Sequence, residues 1–243
     1  MKAAPSDQRE ILDIQRMDFA AATLMNKLAA LPEIAELQVV TNRLAVVRDL
    51  AVAAETQISD IKRELLRSEA DVEQVVTRLE RDEKRLADSN TSAKELEKLQ
   101  HEVQTLSVRR SELEEVELEI MLRIDSIKDR LAELRAEEAA LNIASEEILA
   151  RKVRASQEIE LELASLKQER GAVASTVDAA LLELYEKIRR NNNGTGAAAI
   201  RDGKCDGCHL SINSVEIGRI KTLDADEVVR CEECRCILVR GSL

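Results

Sequence analysis

The chain has 243 residues, 1% aromatic with no Trp and 34% charged, and its formal net charge is −11. So little bulky apolar material excludes an ordinary compact α/β body, and a composition dominated by Ala, Glu, Leu, Arg and Lys is that of long solvated helices. The acidic surplus also opposes non-specific nucleic-acid binding by the whole molecule, because phosphate neutralisation needs spare Lys and Arg.

From Met1 to Asp18 there is no apolar run long enough for a signal h-region, and no segment approaches the roughly 18 uncharged apolar residues of a membrane span, so a cytoplasmic location is expected. A first helix is predicted from about Gln8 to Ala30, with Ile11, Ile14, Leu24 and Leu28. Pro32 separates this helix from the next, and the first helix is expected to pack on residues 150–190. Leu37, Leu44, Ala51, Ile58, Leu65, Val72, Leu79 and Leu86 then recur every seventh residue, with Val40, Val47, Ala54, Ile61 and Val75 at the second seam spacing. This is a heptad repeat, interrupted at Ser68 and Asp82.

The polar run Asp88 to Ser92, with Glu95 three residues after Ser92 in a capping-box pattern, predicts a tip at about 88–92. A second heptad track comes after it: Leu99, Leu106, Leu113, Ile120, Ile127, Leu134, Leu141 and Ile148. The two tracks define an antiparallel coiled-coil hairpin in which residue i faces roughly 180 − i. After Ile148 the apolar set restarts at Ile159, an eleven-residue offset that locally unwinds a coiled coil. At ~1.5 Å per residue the arm from Pro32 to Ala87 is roughly 84 Å long, and a second helix running unbroken from Ser92 to Arg190 would reach roughly 150 Å. Phe19 and Tyr185, the only aromatics, are expected as core or base contacts, and His101 as a solvated helix residue.

Six of the seven glycines lie after Asn193, which divides the chain into a helical domain, 1–190, and a linker with a small C-terminal domain, 191–243. All five cysteines fall in the second part. Cys205-Asp-Gly-Cys208 and Cys231-Glu-Glu-Cys234 are paired C-x-x-C knuckles whose four thiolates suit the closed tetrahedral shell of a structural Zn²⁺. One zinc per chain is expected, with a short β-hairpin between the knuckles. A closed shell leaves no position for substrate, which argues against an enzyme. Cys236 reads as a free thiol on the strand leaving the second knuckle, with an alternate ligand as the other reading. His209 is a weaker competitor, pointing away from the turn. Cys205 to His209 also matches the C-x-x-C-H haem-attachment pattern, which the absence of an export signal and the second knuckle oppose.

The tail D-G-K-C-D-G-C-H-L-S-I from Asp202 to Ile212, V-V-R-C-E-E-C-R-C-I-L-V from Val228 to Val239, and the tip from Ser89 to Gln100 resemble a bacterial family of coiled-coil proteins with a C-terminal C4-type zinc ribbon. The resemblance implies Cys205, Cys208, Cys231 and Cys234 as zinc ligands. It departs after the last ligand, where the family usually has Gly-Arg and this chain has Arg235-Cys236. Members are linked to RNA or DNA binding and to motility or secretion export machinery.

These features point to a non-catalytic adaptor or scaffold that binds protein through the hairpin and a protein or nucleic acid through the ribbon, with a monomer expected. A nucleic-acid-binding regulator is the alternative. Its contacts would come from Arg201, Lys204, Arg219, Lys221, Arg230, Arg235 and Arg240, with Arg189 and Arg190 at the neck. Against it, residues 200–243 carry seven Lys or Arg but eight Asp or Glu and no aromatic stacking platform. A factor that inserts tip carboxylates into RNA polymerase would need closely spaced acids at the turn, where this chain has a Ser/Asn/Thr tip.

Overall fold

The computed structural model describes residues 1–88 and 92–240 and is 78% helical. Residues 89–91 of the expected tip lie outside the described residues. Helix α1 spans Pro5–Ala29 and α2 spans Pro32–Leu86. Each begins on a proline, whose missing N–H is one of the donors that a first turn cannot use. Pro32 also cannot donate into α1, so the break falls there. Helix α3 spans Ala93–Ala174 and α4 spans Ala179–Asn191.

Packing groups the chain into two units, residues 35–149 and residues 1–34 with 150 onward. The composition boundary near residue 191 instead separates the helices from the cysteine-bearing segment. The first break between units coincides with Pro32 and the second with the register change after Ile148.

Within 35–149, α2 and α3 form an antiparallel hairpin whose seam follows the heptads. Val47 and Ala51 pack on Leu134, and Ile61 packs on Ile120 and Ile124. Arg43–Glu137, Arg78–Glu102 and Arg85–Glu95 pair residues at i and 180 − i, as the sequence register predicts. These exposed pairs each contribute at most ~1 kcal/mol, so register rests on the apolar seam. Ser68 and Asp82, which interrupt the repeat, are buried in it all the same.

In the other unit the second helix is not continuous to Arg190. It stops at Ala174, where the hydroxyls of Ser175 and Thr176 donate to the carbonyls of Ala172 and Val173. It restarts after Asp178, whose carboxylate accepts from the N–H groups of Ala180 and Leu181. Local side-chain bonds of this kind satisfy helix ends and make a break favourable. Ile11 and Ile14 of α1 share one core with Val177, Leu181, Tyr185 and Ile188. Tyr185 is a core residue, as expected. Phe19 is not: it lies one residue past the stripe of Gln8, Ile11 and Ile14 and is 71% exposed.

The same core continues into a four-stranded sheet of β1 (Ala197–Arg201), β2 (Lys204–Cys205), β3 (Val229–Arg230) and β4 (Ile237–Val239), in the order β2-β1-β4-β3. β1 runs parallel to β4, and the other pairs are antiparallel. Asp202 and Gly203 both have positive φ, the conformation of a two-residue type I′ hairpin, which Asp-Gly favours. That hairpin precedes the first knuckle. Between the knuckles lies not the expected β-hairpin but a helix, α5 (Ser214–Thr222), whose N-cap Asn213 accepts from the Val215 N–H.

Candidate metal centre

The two knuckles are near-repeats of one backbone design. In the first, the N–H of His209 donates to the Cys205 carbonyl at 2.7 Å and the N–H of Cys205 to the Leu210 carbonyl at 3.1 Å. In the second, the N–H of Arg235 donates to the Cys231 carbonyl at 3.1 Å and that of Cys231 to the Cys236 carbonyl at 2.9 Å. His209 and Arg235, each directly after a knuckle, both adopt left-handed φ, 61° and 62°. Each turn thereby folds its two thiols onto one face.

The sulfurs of Cys205, Cys208, Cys231 and Cys234 all lie within 4.8 Å of one another. Cys205–Cys234 is 3.8 Å and Cys208–Cys231 is 3.9 Å. A tetrahedron with Zn–S bonds of ~2.3 Å has edges of about 3.8 Å, so these two edges match it and the compact four-thiol set is suited to one structural Zn²⁺. These four would hold it, stabilising a fold that its own small core stabilises weakly. Cys236 is fully buried beside them, and burial pushes its thiol well above the ordinary range. His209 is exposed.

Several of the basic residues singled out in the sequence are engaged in local bonds, while Arg230 and Arg235 share one surface depression with Lys187. Arg201 pairs with Asp206 at 2.9 Å, and Arg219 holds Glu216 in a two-point bond that keeps this carboxyl below its usual range. Arg240 donates to the carbonyls of Ile220, Leu223, Asp224, Ala225 and Glu227. At the neck, Arg189 bonds Glu186, and Arg190 donates to the Glu186 carbonyl. Arg230 donates to the Arg235 carbonyl at 3.0 Å. Among the described residues, Lys204, Lys221, Arg230 and Arg235 are the exposed ribbon cations without a carboxylate partner.

Several positioning residues carry no mark in the sequence. The Ala3 N–H donates to the Asp226 carbonyl and the Val228 N–H to the Met1 carbonyl, so the first residues brace the ribbon. Gln15 accepts from the N–H groups of Gly196 and Ala197 and donates to the Gly194 carbonyl, fixing α1 to the linker. A glutamine on a helix gives no sequence signal for such a task.

A helical hairpin with a closed four-thiol ribbon is the class of protein these elements define. Residues 14–193 match the CT398-like coiled coil hairpin domain and residues 204–238 match the C4-type zinc ribbon domain. The chain belongs to the CT398-like coiled-coil hairpin family. An uncharacterized protein of Mycobacterium tuberculosis is 30% identical over 99% of this chain and 98% of its own length. A solved structure from Mycobacterium smegmatis is 30% identical, with a TM-score of 0.87 over 99% of this chain and 100% of that one. The structure of CT398 from Chlamydia trachomatis shares the fold at 21% identity, TM-score 0.70, over 97% and 98% of the two chains. Among the described residues no helix is long and apolar enough to cross a membrane.

Proposed function

We propose that the protein is a non-catalytic cytoplasmic adaptor: the hairpin binds a protein partner, and the zinc ribbon holds a second partner, protein or nucleic acid. The observation that carries this reading is the outer surface of the hairpin. Val39, Leu66, Leu118 and Leu122 are each at least 60% exposed although the seam is already filled. Leu118 and Leu122 lie one turn apart on the same face of α3, and adjacent exposed aliphatics, unlike singly scattered ones, are the raw material of a protein interface. The zinc shell, with all four vertices taken by thiolates, supplies structure rather than chemistry.

The alternative, a nucleic-acid regulator acting through the ribbon, is favoured by Lys204, Lys221, Arg230 and Arg235 alone. Four phosphate contacts limit the log–log salt slope on duplex DNA to about 4, which is weak, salt-sensitive binding. The test uses the full chain, because the ribbon and α1 share a core. Protein capture from native cells, with and without nuclease, is compared for the parent, Val39→Asp/Leu122→Asp, and Lys204→Glu/Arg230→Glu/Arg235→Glu. The adaptor reading expects nuclease-resistant capture lost only in the first variant. Nuclease-sensitive capture lost only in the second would replace it with the regulator.

A further inference from the structure

The centre contains one sulfur more than a tetrahedral ion can use. Leu210 and Cys236 occupy equivalent positions in the two knuckles, each accepting the N–H of that knuckle's first cysteine. Leu210 is 51% exposed, whereas Cys236 is 0% exposed and turned inward. A Cβ added to Gly207, inside the first knuckle, would lie 3.4 Å from the Cys236 sulfur, so this thiol reaches across to the opposite knuckle.

Its distances assign it a specific relation to the ligands. The Cys236 sulfur lies 3.6 Å from that of Cys205, close to the ~3.8 Å edge of a zinc–thiolate tetrahedron, so those two can bind one ion together. It lies only 3.2 Å from that of Cys234, shorter than the edge, so the two sulfurs compete for a single vertex. A thiol is a soft ligand suited to zinc, unlike the aliphatic side chain that packing alone would ask for.

Resting on the assignment of the four knuckle thiols as ligands, we infer that Cys236 is a reserve zinc ligand that takes the vertex of Cys234. When the Cys234 sulfur is removed or covalently blocked, the Zn–S bond to Cys234 is lost, the Cys236 thiol releases its proton to solvent, and a Zn–S bond to Cys236 forms. The shell keeps four sulfurs, and no oxidant or reductant is consumed. The ribbon thereby tolerates damage at one of its two half-buried ligands, with Cys205, Cys208 and Cys231 retained and the Cys236 sulfur drawn inward toward Cys208 and Cys231.

The experiment uses full-length variants loaded with Co²⁺ as a spectroscopic probe and with Zn²⁺ for competition against a chelator. Cys236→Ser is expected to bind one zinc with an affinity within about tenfold of the parent. Cys234→Ser is expected to keep the tetrathiolate cobalt spectrum, with affinity reduced no more than about 100-fold, the size of a perturbation around an intact shell. Cys208→Ser and Cys234→Ser/Cys236→Ser should both show three-sulfur spectra and a larger loss. Since metal capture and ribbon folding are one event, failure to fold counts as loss of metal. If Cys234→Ser matches Cys208→Ser, or is indistinguishable from the double variant, the reserve-ligand inference is overturned. Loss of zinc from Cys236→Ser alone overturns the underlying ligand assignment instead.

Discussion

Asp82 occupies a seam position of the hairpin, is 1% exposed, and has one carboxylate oxygen without a hydrogen-bond partner. Arg81 at 3.3 Å and Arg85 at 3.9 Å flank its other oxygen, and Arg78 lies 4.0 Å from the unbonded one. Desolvating a carboxylate costs several kcal/mol, and half-exposed arginines offset this only in part. Asp82→Leu is therefore expected to stabilise the hairpin by about 1–3 kcal/mol, read from denaturant midpoints at unchanged m value. A destabilised variant would show that the arginine cluster more than offsets the burial. Tyr185 poses the converse case, a neutral group that the fold keeps neutral. Burial foremost, then its 2.6 Å bond to Asp18, pushes the phenol far above its usual value near 10. Below about pH 10 both folded and unfolded chains keep the proton, so the contribution is complete. Above it the unfolded chain ionises while the folded one does not, and stability falls as pH rises. Because this is the single tyrosine, tyrosinate absorbance reports it cleanly. The phenol should ionise only as the base unfolds, and Tyr185→Phe should remove that part of the alkaline loss. Ionisation near pH 10 with all helices intact would contradict the burial argument.

At the scale of elements, the linker after α4 depends on a close approach. A Cβ on Gly196 would lie 2.6 Å from two ring carbons of Tyr185 and 2.9 Å from its carbonyl oxygen. The ring is buried on its other sides and cannot yield, so Gly196→Ala should cost about 1–3 kcal/mol by overpacking. Thermal unfolding of the zinc-loaded chain measures it, and an unchanged midpoint would mean that the linker shifts freely. The heptad tracks made the hairpin and its register legible in sequence, because each period-seven Leu or Ile repeats one instruction many times. The knuckles were legible because zinc geometry constrains cysteine spacing so tightly. What was not legible rests on single residues. The Asp178 cap that ends the long helix, the Asn213 cap that starts α5, and Gln15 on the linker each depend on one side chain with no periodic support. Phe19 was misplaced for a related reason: a position one residue off a helical stripe turns by about 100°. The buried Asp82 shows the opposite limit, since the repeat held even where its residue type did not.

At the scale of the molecule, zinc and the helical base depend on one core. Ile11, Leu181 and Tyr185 belong to the same apolar cluster as Ile237, Leu238 and the thiols Cys205 and Cys231. The N-terminal residues add backbone bonds to Asp226 and Val228, and Gln15 ties α1 to Gly196 and Ala197. The ribbon that would hold the metal is thus part of the surface on which α1 and α4 are buried, and structural zinc sites contribute directly to folding. The hairpin of residues 35–149 has its own seam, with Val47, Ile61, Ile120 and Leu134 packed independently of any cysteine. Chelating the zinc should therefore not act on the ribbon alone. The sheet and α5 should unfold first. The apolar faces of α1 and α4 would then lose their cover, while the hairpin keeps its helices. Hydrogen exchange on the full chain, before and after a strong chelator, resolves this by segment. Protection should disappear from 197–239, fall markedly in 5–29 and 179–191, and persist at the seam of 44–79 and 99–148. Adding zinc back should restore all three. If α1 and α4 keep their protection in the metal-free chain, the helical base is stable without the ribbon, and the shared core is a contact of convenience rather than a folding unit.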